Sequence, residues 1–316
     1  MADRWTYTKG LHDLGNGLWA WLQPDGGWGW SNAGLIVDGD RSLLVDTLFD
    51  MPLTREMLSS MADATGILAE DIDTVVNTHA NGDHTHGNAC CASAEIIASA
   101  ASAAEMEAFT PAMLARFVAG ASAHGVAGQY LLDIFGAFDF AGVIEKLPSR
   151  TFTGELRLKV GDKTVELIEV GPAHTRGDIL AHVPADRAIF TGDILFIDGT
   201  PIMWAGPVTN WIAACDRILA MDVDIIVPGH GPITDKAGVR RVKDYLAFCD
   251  REARKRYDAG LSVRDAAHDI ALGDFASWGD SERIAVNVDT LYRGYRGDAS
   301  RPDTVGLFAL MSELRR

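Results

Sequence analysis

Cysteine is scarce in this chain, and its spacing excludes the common cysteine-based sites. The 316 residues include four cysteines, which are Cys90, Cys91, Cys215 and Cys249. No two of them form a Cys-x-x-Cys pair, and adjacent cysteines rarely form a structural disulfide. We therefore expect reduced, inert thiols in a cytoplasmic protein.

Long hydrophobic runs and basic clusters are also missing. No apolar stretch approaches the roughly 20 residues that a transmembrane helix needs. The first ten residues, MADRWTYTKG, lack the apolar core of a secretory signal. The formal net charge is -16, and Lys and Arg form no run. Because such a surface repels phosphate backbones and anionic membranes, we expect neither nucleic acid nor a membrane as a partner.

The chain does contain the apolar patterns of a globular α/β protein, with 47% hydrophobic and 23% charged residues. Alternation over 17–22 predicts a strand, and the two apolar runs around Asp38-Gly39-Asp40 predict a hairpin. Asp50 and Pro52 are typical of a helix start. Further strands are predicted over 72–79, 157–161, 164–170, 178–184, 187–193 and 224–231.

Helical spacing dominates two other parts of the chain. Residues 98–147 are rich in alanine and predict two or three helices, interrupted at Pro111 and around Gly120 to Gly128. A helix is predicted over 209–221, and 235–316 reads as mostly helical. Strands separated by helices favour layered sheets with helices outside them.

Metal-type ligands come just after predicted apolar strands in four separate segments. The segments are HANGDH, GPAHTRGD, FTGDILF and PGHGP, and they carry His79, Asp83, His84, His174, Asp193 and His230. A strand end is a rigid support from which loops reach a shared cleft. Imidazole and carboxylate together suit zinc, iron or manganese.

The order of these motifs resembles the metallo-β-lactamase superfamily over roughly residues 14 to 232, outside the stretch 98–147. The resemblance implies an α/β (α+β) fold, an αββα sandwich with a metal site at one edge of its two sheets. It places this domain at residues 1–234, with 98–147 as a helical insertion. Residues 235–316 would form a helical C-terminal extension packed on it.

The resemblance also implies a role for each ligand-type residue. One metal would be held by His79, the residue at position 81 and His174. A second would be held by Asp83, His84 and His230, and Asp193 would bridge the two. Asp83 and Asp193 would be the catalytic carboxylates. Asp46 would support the site without touching the metal.

Asn81 departs from this pattern, because the family has a histidine there. A neutral amide is a poor zinc ligand beside imidazole, so we expect Asn81 to be a loop hydrogen bonder and at most a weak ligand. The second site should bind more tightly. The expected cofactor is zinc, one or two ions per chain, with iron or manganese as alternatives.

Tryptophans surround a glycine-rich turn next to these motifs. Trp19, Trp21, Trp28 and Trp30 lie in WAWLQPDGGWGW, and Trp204 follows Asp193. We expect Trp28, Trp30, Trp204 and His86 to contact substrate, although core packing is the alternative for each. The 98–147 helices would roof the site or form a homodimer contact.

These features predict a hydrolase that cleaves a small-molecule ester, thioester, lactone or similar bond with a metal-activated water. Two alternatives stay open within metalloenzymes: hydrolytic dehalogenation, and iron-dependent sulfur or oxygen chemistry. A non-catalytic, degenerate family member is the third.

Overall fold

Two facing β-sheets form the centre of the protein, as a computed structural model shows. The structure describes residues 5–24 and 26–315. Residues 1–4, the start of the stretch MADRWTYTKG considered above for a secretory signal, lie outside that range. Among the described residues, no helix combines the length and hydropathy needed to cross a membrane.

The first sheet has seven strands in chain order. They are β1 (Gly10–Gly15), β2 (Leu18–Leu22), β3 (Ala33–Asp38), β4 (Arg41–Val45), β5 (Thr74–Val76), β6 (Glu95–Ser99) and β7 (Arg150–Phe152). Pairing is antiparallel from β1 to β4 and parallel from β4 to β7. The predicted hairpin over 33–47 is therefore present, whereas β1, β6 and β7 were not predicted.

The second sheet has five strands, and its order differs from the chain order. The strands are β8 (Glu155–Val160), β9 (Lys163–Glu169), β10 (Ile179–Val183), β11 (Ala188–Phe190) and β12 (Ile225–Val227). Their order across the sheet is β12-β11-β10-β9-β8. β11 and β12 are parallel, so both end at the same edge of the sheet.

Alternating side chains along the strands build the layers. In β4, Leu43 and Val45 join the core between the two sheets, which also contains Phe190 of β11. Leu44, between them, packs on the opposite face under Met57 of helix α1 (Met51–Thr65). Because successive strand residues point to opposite faces, one strand serves both cores. The predicted αββα sandwich is confirmed.

Local signals set both ends of α1, and its start agrees with the prediction. The Asp50 carboxylate accepts a hydrogen bond from Leu53 N at 2.8 Å and caps the helix N-terminus. Gly66, with φ of 78°, ends it in the left-handed region. A short helix, α2 (Gly82–Thr85), follows β5.

The stretch 98–147 is only partly helical. Ala98 and Ser99 belong to β6, because pairing with β5 and burial outweigh the helix preference of alanine. The helices are α3 (Ala100–Ala108), α4 (Pro111–Ala119) and α5 (Gly125–Phe135), so three helices and the break at Pro111 agree with the sequence. Residues 136–147 are not helical. There, Asp139 accepts from Gly142 N at 3.1 Å in a turn.

Five helices pack on the second sheet. They are α6 (Val208–Ala220), α7 (Lys236–Asp258), α8 (Val263–Asp269), α9 (Ile284–Arg296) and α10 (Thr304–Leu314). Helix α6 connects β11 to β12, and the other four follow β12. Their buried side chains share one core with the outer face of that sheet and with α5. Phe308 of α10 lies 6.1 Å from the Tyr130 ring of α5. The C-terminal helices and the insertion are therefore in direct contact.

Candidate metal centre

Strand ends at one edge of the sandwich bring the ligand-type residues together. His79 follows β5, Asp193 follows β11 and His230 follows β12, while His174 lies in the loop between β9 and β10. Gly229 permits the close approach of the last two strands, since a Cβ there would lie 2.0 Å from Asp193 Oδ1. Residues far apart in sequence thus meet in one cluster.

Asp193 is at the centre of this cluster. Its Oδ1 lies 3.1 Å from His84 Nε2. Its Oδ2 lies 3.3 Å from His174 Nε2, 3.5 Å from His230 Nε2 and 3.7 Å from His79 Nε2. One carboxylate therefore faces all four imidazoles, as a bridging group would.

Asp83 completes the cluster from α2. Its Oδ2 lies 3.3 Å from His230 Nε2 and 3.8 Å from His84 Nε2. Two groups have donor atoms within 4.8 Å of one another: His79, His84 and Asp193, and Asp83, His84 and His230. The structure thus brings together all six residues that the sequence singled out.

The other ring nitrogen of each histidine is fixed by a neighbouring group. His79 Nδ1 lies 3.0 Å from Thr78 Oγ1, and His84 Nδ1 lies 2.9 Å from Asp46 Oδ2. His174 Nδ1 donates to Ile202 O at 2.6 Å, and His230 Nδ1 donates to Gly26 O at 3.0 Å. In each case this arrangement turns Nε2 towards Asp193. No local sequence signal pointed to Thr78, Ile202 or Gly26.

Asp46 lies beneath the cluster in an uncommon backbone conformation. It is 2% exposed and has φ of 64°, the left-handed region that non-glycine residues rarely adopt. Its carboxylate accepts from Thr78 N and from Thr78 Oγ1, each at 2.7 Å, besides contacting His84. Burial raises the pKa of Asp46, although His84 opposes that shift. Asp46 thus orients the loop as well as one imidazole, and it contacts His84 through Nδ1, the nitrogen that does not face Asp193.

The electrostatics of the cluster favour ionised carboxylates. Burial opposes ionisation of Asp83, but His84 and His230 outweigh burial and hold the pKa at about 2. Asp193 is likewise held well below its usual pKa by His230, His84 and His79 despite burial. Burial lowers the pKa values of His79 and His174, so these imidazoles stay neutral.

Burial opposes protonation of His84 and His230, but Asp193 and Asp83 outweigh burial, raising the His84 pKa well above its usual range and the His230 pKa to about 9. Because metals bind neutral imidazoles and ionised carboxylates, metal binding at these two histidines would release their protons.

Buried polar atoms without partners show that a metal ion fits here. Within the described part of the chain, His79 Nε2, His84 Nε2 and Asp193 Oδ1 are buried and have no hydrogen-bond partner. Such atoms cost free energy unless something satisfies them. All three point into the same space, and their chemistry matches zinc or a similar divalent ion.

Asn81 faces the cluster as well. Its Oδ1 lies 2.7 Å from Nε2 of His174. Because His174 Nδ1 donates to Ile202 O, the neutral ring presents a lone pair at Nε2. The Asn81 oxygen and the His174 nitrogen are then two acceptors that face each other. A cation shared by both would satisfy them, and so would rotation of the amide, which would let its NH2 group donate to His174. The expectation of a hydrogen bonder that is at most a weak ligand fits this position.

Aromatic side chains form a wall beside the cluster. Trp28 contacts Trp204 and also Phe135 and Phe308, with ring centroids 6.3, 5.8 and 6.4 Å apart. Trp30 contacts Phe138 at 4.9 Å. We call these six residues the aromatic wall. The wall adjoins the cluster because Trp204 N donates to His174 O at 2.9 Å. The phenylalanines come from α5, α10 and the segment after α5, which the sequence did not link to the site.

Three further aromatic residues that the sequence singled out lie outside the aromatic wall. Trp19 and Trp21 pack into the core under α1, because their strand positions face that side of the sheet. His86 is buried against Phe49 and Phe140, and burial lowers its pKa to about 4. It borders a groove that Ala80, Ile144 and Leu147 also line. Its contact with substrate stays a prediction.

Known proteins share both the sequence pattern and the fold. The chain is 28% identical over 151 residues to the α subunit of 2,4-dinitroanisole O-demethylase from Nocardioides sp. (strain JS1661), covering 46% of this chain and 37% of the relative. It is 31% identical over 123 residues to a probable hydroxyacylglutathione hydrolase of Schizosaccharomyces pombe, covering 32% and 48%. The chain thus matches less than half the length of each of these relatives.

A solved structure supports the same fold. A stereoselective inverting sec-alkylsulfatase from Pseudomonas sp. aligns with a TM-score of 0.65 and 17% identity, over 92% of this chain and 51% of that one. The model of the family described as the metallo-β-lactamase superfamily matches residues 26–230, more than half of the chain. This protein therefore belongs to the metallo-β-lactamase superfamily.

Proposed function

We propose that this protein is a metal-dependent hydrolase of small molecules. The observation that carries the proposal is the convergence of four histidines and two aspartates around buried atoms without partners. A degenerate, non-catalytic member would not be expected to keep such a costly arrangement. Family membership supports the same class of reaction.

In this proposal the metal ligands are His79, His84, His174, His230, Asp83 and Asp193. Zinc is the proposed ion, because imidazole and carboxylate together are its common ligands. When bound, it would lower the pKa of a water molecule from about 16 to roughly 7 and polarise the substrate. The set around Asp83, His84 and His230 would bind more tightly than the set that includes Asn81.

The two carboxylates would have different tasks. Asp83 is the more accessible, with 13% of its side chain exposed against 4% for Asp193. With a pKa of about 2, Asp83 is an acceptor at neutral pH, and we assign to it the orientation of the attacking water. Asp193 would hold the ligand set together from its centre.

The aromatic wall suggests what the substrate carries. Trp204 donates a hydrogen bond to His174 through its backbone N, and the Trp204 and Trp28 rings are partly buried against each other. Apolar rings of this kind bind flat or apolar groups. We therefore propose an ester, thioester or lactone next to an apolar or aromatic group. The cytoplasm is the proposed compartment, since four free thiols suit a reducing environment.

The test is turnover of a phenyl ester, a phenyl thioester and an aryl-substituted lactone by the zinc-loaded protein. We expect cleavage of at least one, loss of cleavage in His84→Ala, and a higher KM in Trp204→Ala because the wall is removed. Metal-loaded protein that cleaves none of the three would overturn the proposed bond type. Halide release or iron dependence would instead favour the dehalogenase or the oxidative alternative.

A second candidate is the hydrolysis of an aromatic methyl ether. The similarity to the α subunit of an O-demethylase and the aromatic wall both favour it. Water would replace the aryl oxygen on the methyl carbon or the methoxy group on the ring, giving a phenol and methanol. Methanol release from 2,4-dinitroanisole tests this candidate, and its absence would exclude that substrate.

The domain limits remain a proposal. We assign residues 1–234 to the metallo-β-lactamase domain and 235–316 to the extension. A homodimer contact through the 98–147 insertion also stays a prediction.

A further inference from the structure

We infer that helix α9 of the C-terminal extension positions His174, and through it one half of the centre. The segment 198–206 joins the Asp193 loop to α6. We call this segment the strap. The positioning role rests on the proposed function only in treating His174 as a metal ligand. The C-terminal extension would then help to position a ligand of the proposed metal centre.

One side of the strap holds His174. Ile202 O accepts from His174 Nδ1 at 2.6 Å. Trp204 N and Ala205 N both donate to His174 O, at 2.9 and 3.1 Å, and Gly206 N donates to Ala173 O at 2.8 Å. The strap therefore fixes the backbone and the ring of His174 together.

The other side of the strap is bound by side chains of the extension. Asn287 Oδ1 accepts from Met203 N at 2.8 Å, and Asn287 Nδ2 donates to Pro201 O at 2.8 Å. Thr290 Oγ1 donates to Met203 O at 2.7 Å. Arg283 Nη1 donates to Thr200 O at 3.0 Å. Ile202, whose carbonyl receives His174, lies between the two residues that Asn287 binds.

Helix geometry explains why these three side chains act together. Asn287 and Thr290 lie on one face of α9, and Arg283, the helical residue just before α9, continues that face at spacing i, i+4 and i+7. Asn287 is 1% exposed, and its Nδ2 also lies 3.1 Å from Tyr245 Oη. A buried amide with three partners has one rotamer that satisfies them all, so it acts as a rigid link.

The same helix face reaches the aromatic wall. The guanidinium carbon of Arg283 lies 4.5 Å from the centre of the Trp28 ring, in cation–π geometry. Trp28 faces Trp204, which is itself a strap residue. Arg283 is 1% exposed and is also paired with Asp280 at 2.9 Å. The extension thus supports both a proposed ligand and the proposed substrate surface.

The consequence for His174 follows from its tautomer. As long as Ile202 O holds the Nδ1 proton, Nε2 keeps its lone pair and points towards Asp193, 3.3 Å away. If the strap shifts, the ring loses its acceptor and can rotate or change tautomer. Asn287 is therefore a positioning residue that acts through the strap.

The experiment compares Asn287→Ala with the wild-type full chain in two measurements. The first is hydrogen exchange of the His174 ring Nδ1 proton in zinc-free protein, by NMR. The second is the rate of zinc loss from zinc-loaded protein to excess chelator. We expect faster exchange and zinc loss on the order of tenfold faster, the lower limit for disrupted outer partners of metal ligands. Thr290→Val, which removes one hydrogen bond, should shift both in the same direction.

Tyr295→Phe is the matched control on α9. It loses hydrogen bonds to Asp250 without touching the strap, so both rates should stay at the wild-type values. If Asn287→Ala does not fold, Thr290→Val takes its place. His174→Ala and the double variant complete the comparison, and their effects on zinc loss should not add, because Asn287 acts through His174.

The outcomes separate this inference from the proposed function. Wild-type exchange of the ring proton in folded Asn287→Ala and Thr290→Val would overturn the positioning role. Faster exchange of the His174 ring proton in these variants, when neither they nor the wild type take up zinc, would support the positioning of His174 and refute the metal centre. Zinc loss that His174→Ala leaves unchanged would remove His174 from the ligand set and overturn the effect of Asn287 on the metal.

Discussion

The amide oxygen of Asn81 lies 2.7 Å from Nε2 of His174, in the position that the family gives to a histidine. Neutral His174 presents an acceptor there, because its other nitrogen donates to Ile202 O. Either a cation lies between the two acceptor atoms, or the amide is rotated so that its nitrogen donates to His174 Nε2. In both cases we expect the side of the centre nearest Asn81 to bind a metal ion more weakly.

Replacing Asn81 with histidine should raise metal content towards two ions per chain. An imidazole adds a strong ligand beside His79 and His174, whereas the amide is a weak one. Elemental analysis of protein purified without chelators measures this. Asn81→Ala is the control and should not gain metal. Equal metal content in the histidine variant and the wild type would mean that position 81 does not contribute to binding.

Loss of the His84 or the His230 imidazole, on the side of the centre away from Asn81, should remove the more tightly bound metal ion. His84→Ala and His230→Ala each delete a nitrogen within 3.5 Å of Asp193, and we expect activity to be abolished. Metal content and rate are measured on the same preparation. His268→Gln, an exposed residue that pairs with Glu313, is the control. A fully active, metal-replete His84→Ala protein would refute the site assignment.

Asp46→Asn should weaken metal binding and leave the fold intact. The substitution removes the charge next to His84 Nδ1 but keeps an oxygen for Thr78. Outer partners of this kind typically account for about 10–100-fold in metal affinity or activity. Competition with a chelator gives the affinity, and circular dichroism checks the fold. Wild-type affinity in the folded variant would show that Asp46 supports only the loop.

Metal removal should lower thermal stability. The buried atoms His79 Nε2, His84 Nε2 and Asp193 Oδ1 have no hydrogen bond to any of the described residues, and a bound ion would satisfy them. At free zinc of about 100 times Kd, binding adds about 2.7 kcal/mol to the free energy of unfolding. Calorimetry with and without chelator should therefore show a lower Tm in chelator. A Tm that zinc does not change, in either wild type or Asn81→His, would argue against a metal bound to the folded state.

The cysteines should react with alkylating agents in a fixed order. Burial raises the pKa values of Cys91, Cys215 and Cys249 to about 12, so few thiolates form even at pH 9. Cys90 is partly exposed and should react first in the folded protein. Mass spectrometry after iodoacetamide treatment, native against unfolded, gives the order. Rapid native labelling of Cys215 would contradict its burial.

The sequence determined the metal centre to a large extent because each ligand motif follows an apolar strand, and strand ends are rigid. His79, Asp83, His84, His174, Asp193 and His230 could be located in this way, and the family order assigned them to one centre. The cap at Asp50 and the hairpin at Gly39 were also readable, since their chemistry is local. Alanine content misled the prediction at β6, because strand pairing is not a local property.

Only the tertiary structure decided what surrounds that centre. The aromatic wall joins Trp28 to Phe308, and the strap joins Met203 to Asn287, which is 84 residues further along the chain. Contacts over such separations leave no periodicity and no spacing in the sequence. They depend on how whole helices pack on the outer face of the second sheet, and that packing is set by the complete core. The proposed ligands could therefore be predicted from the sequence, whereas the residues that position them could be identified only in the folded structure.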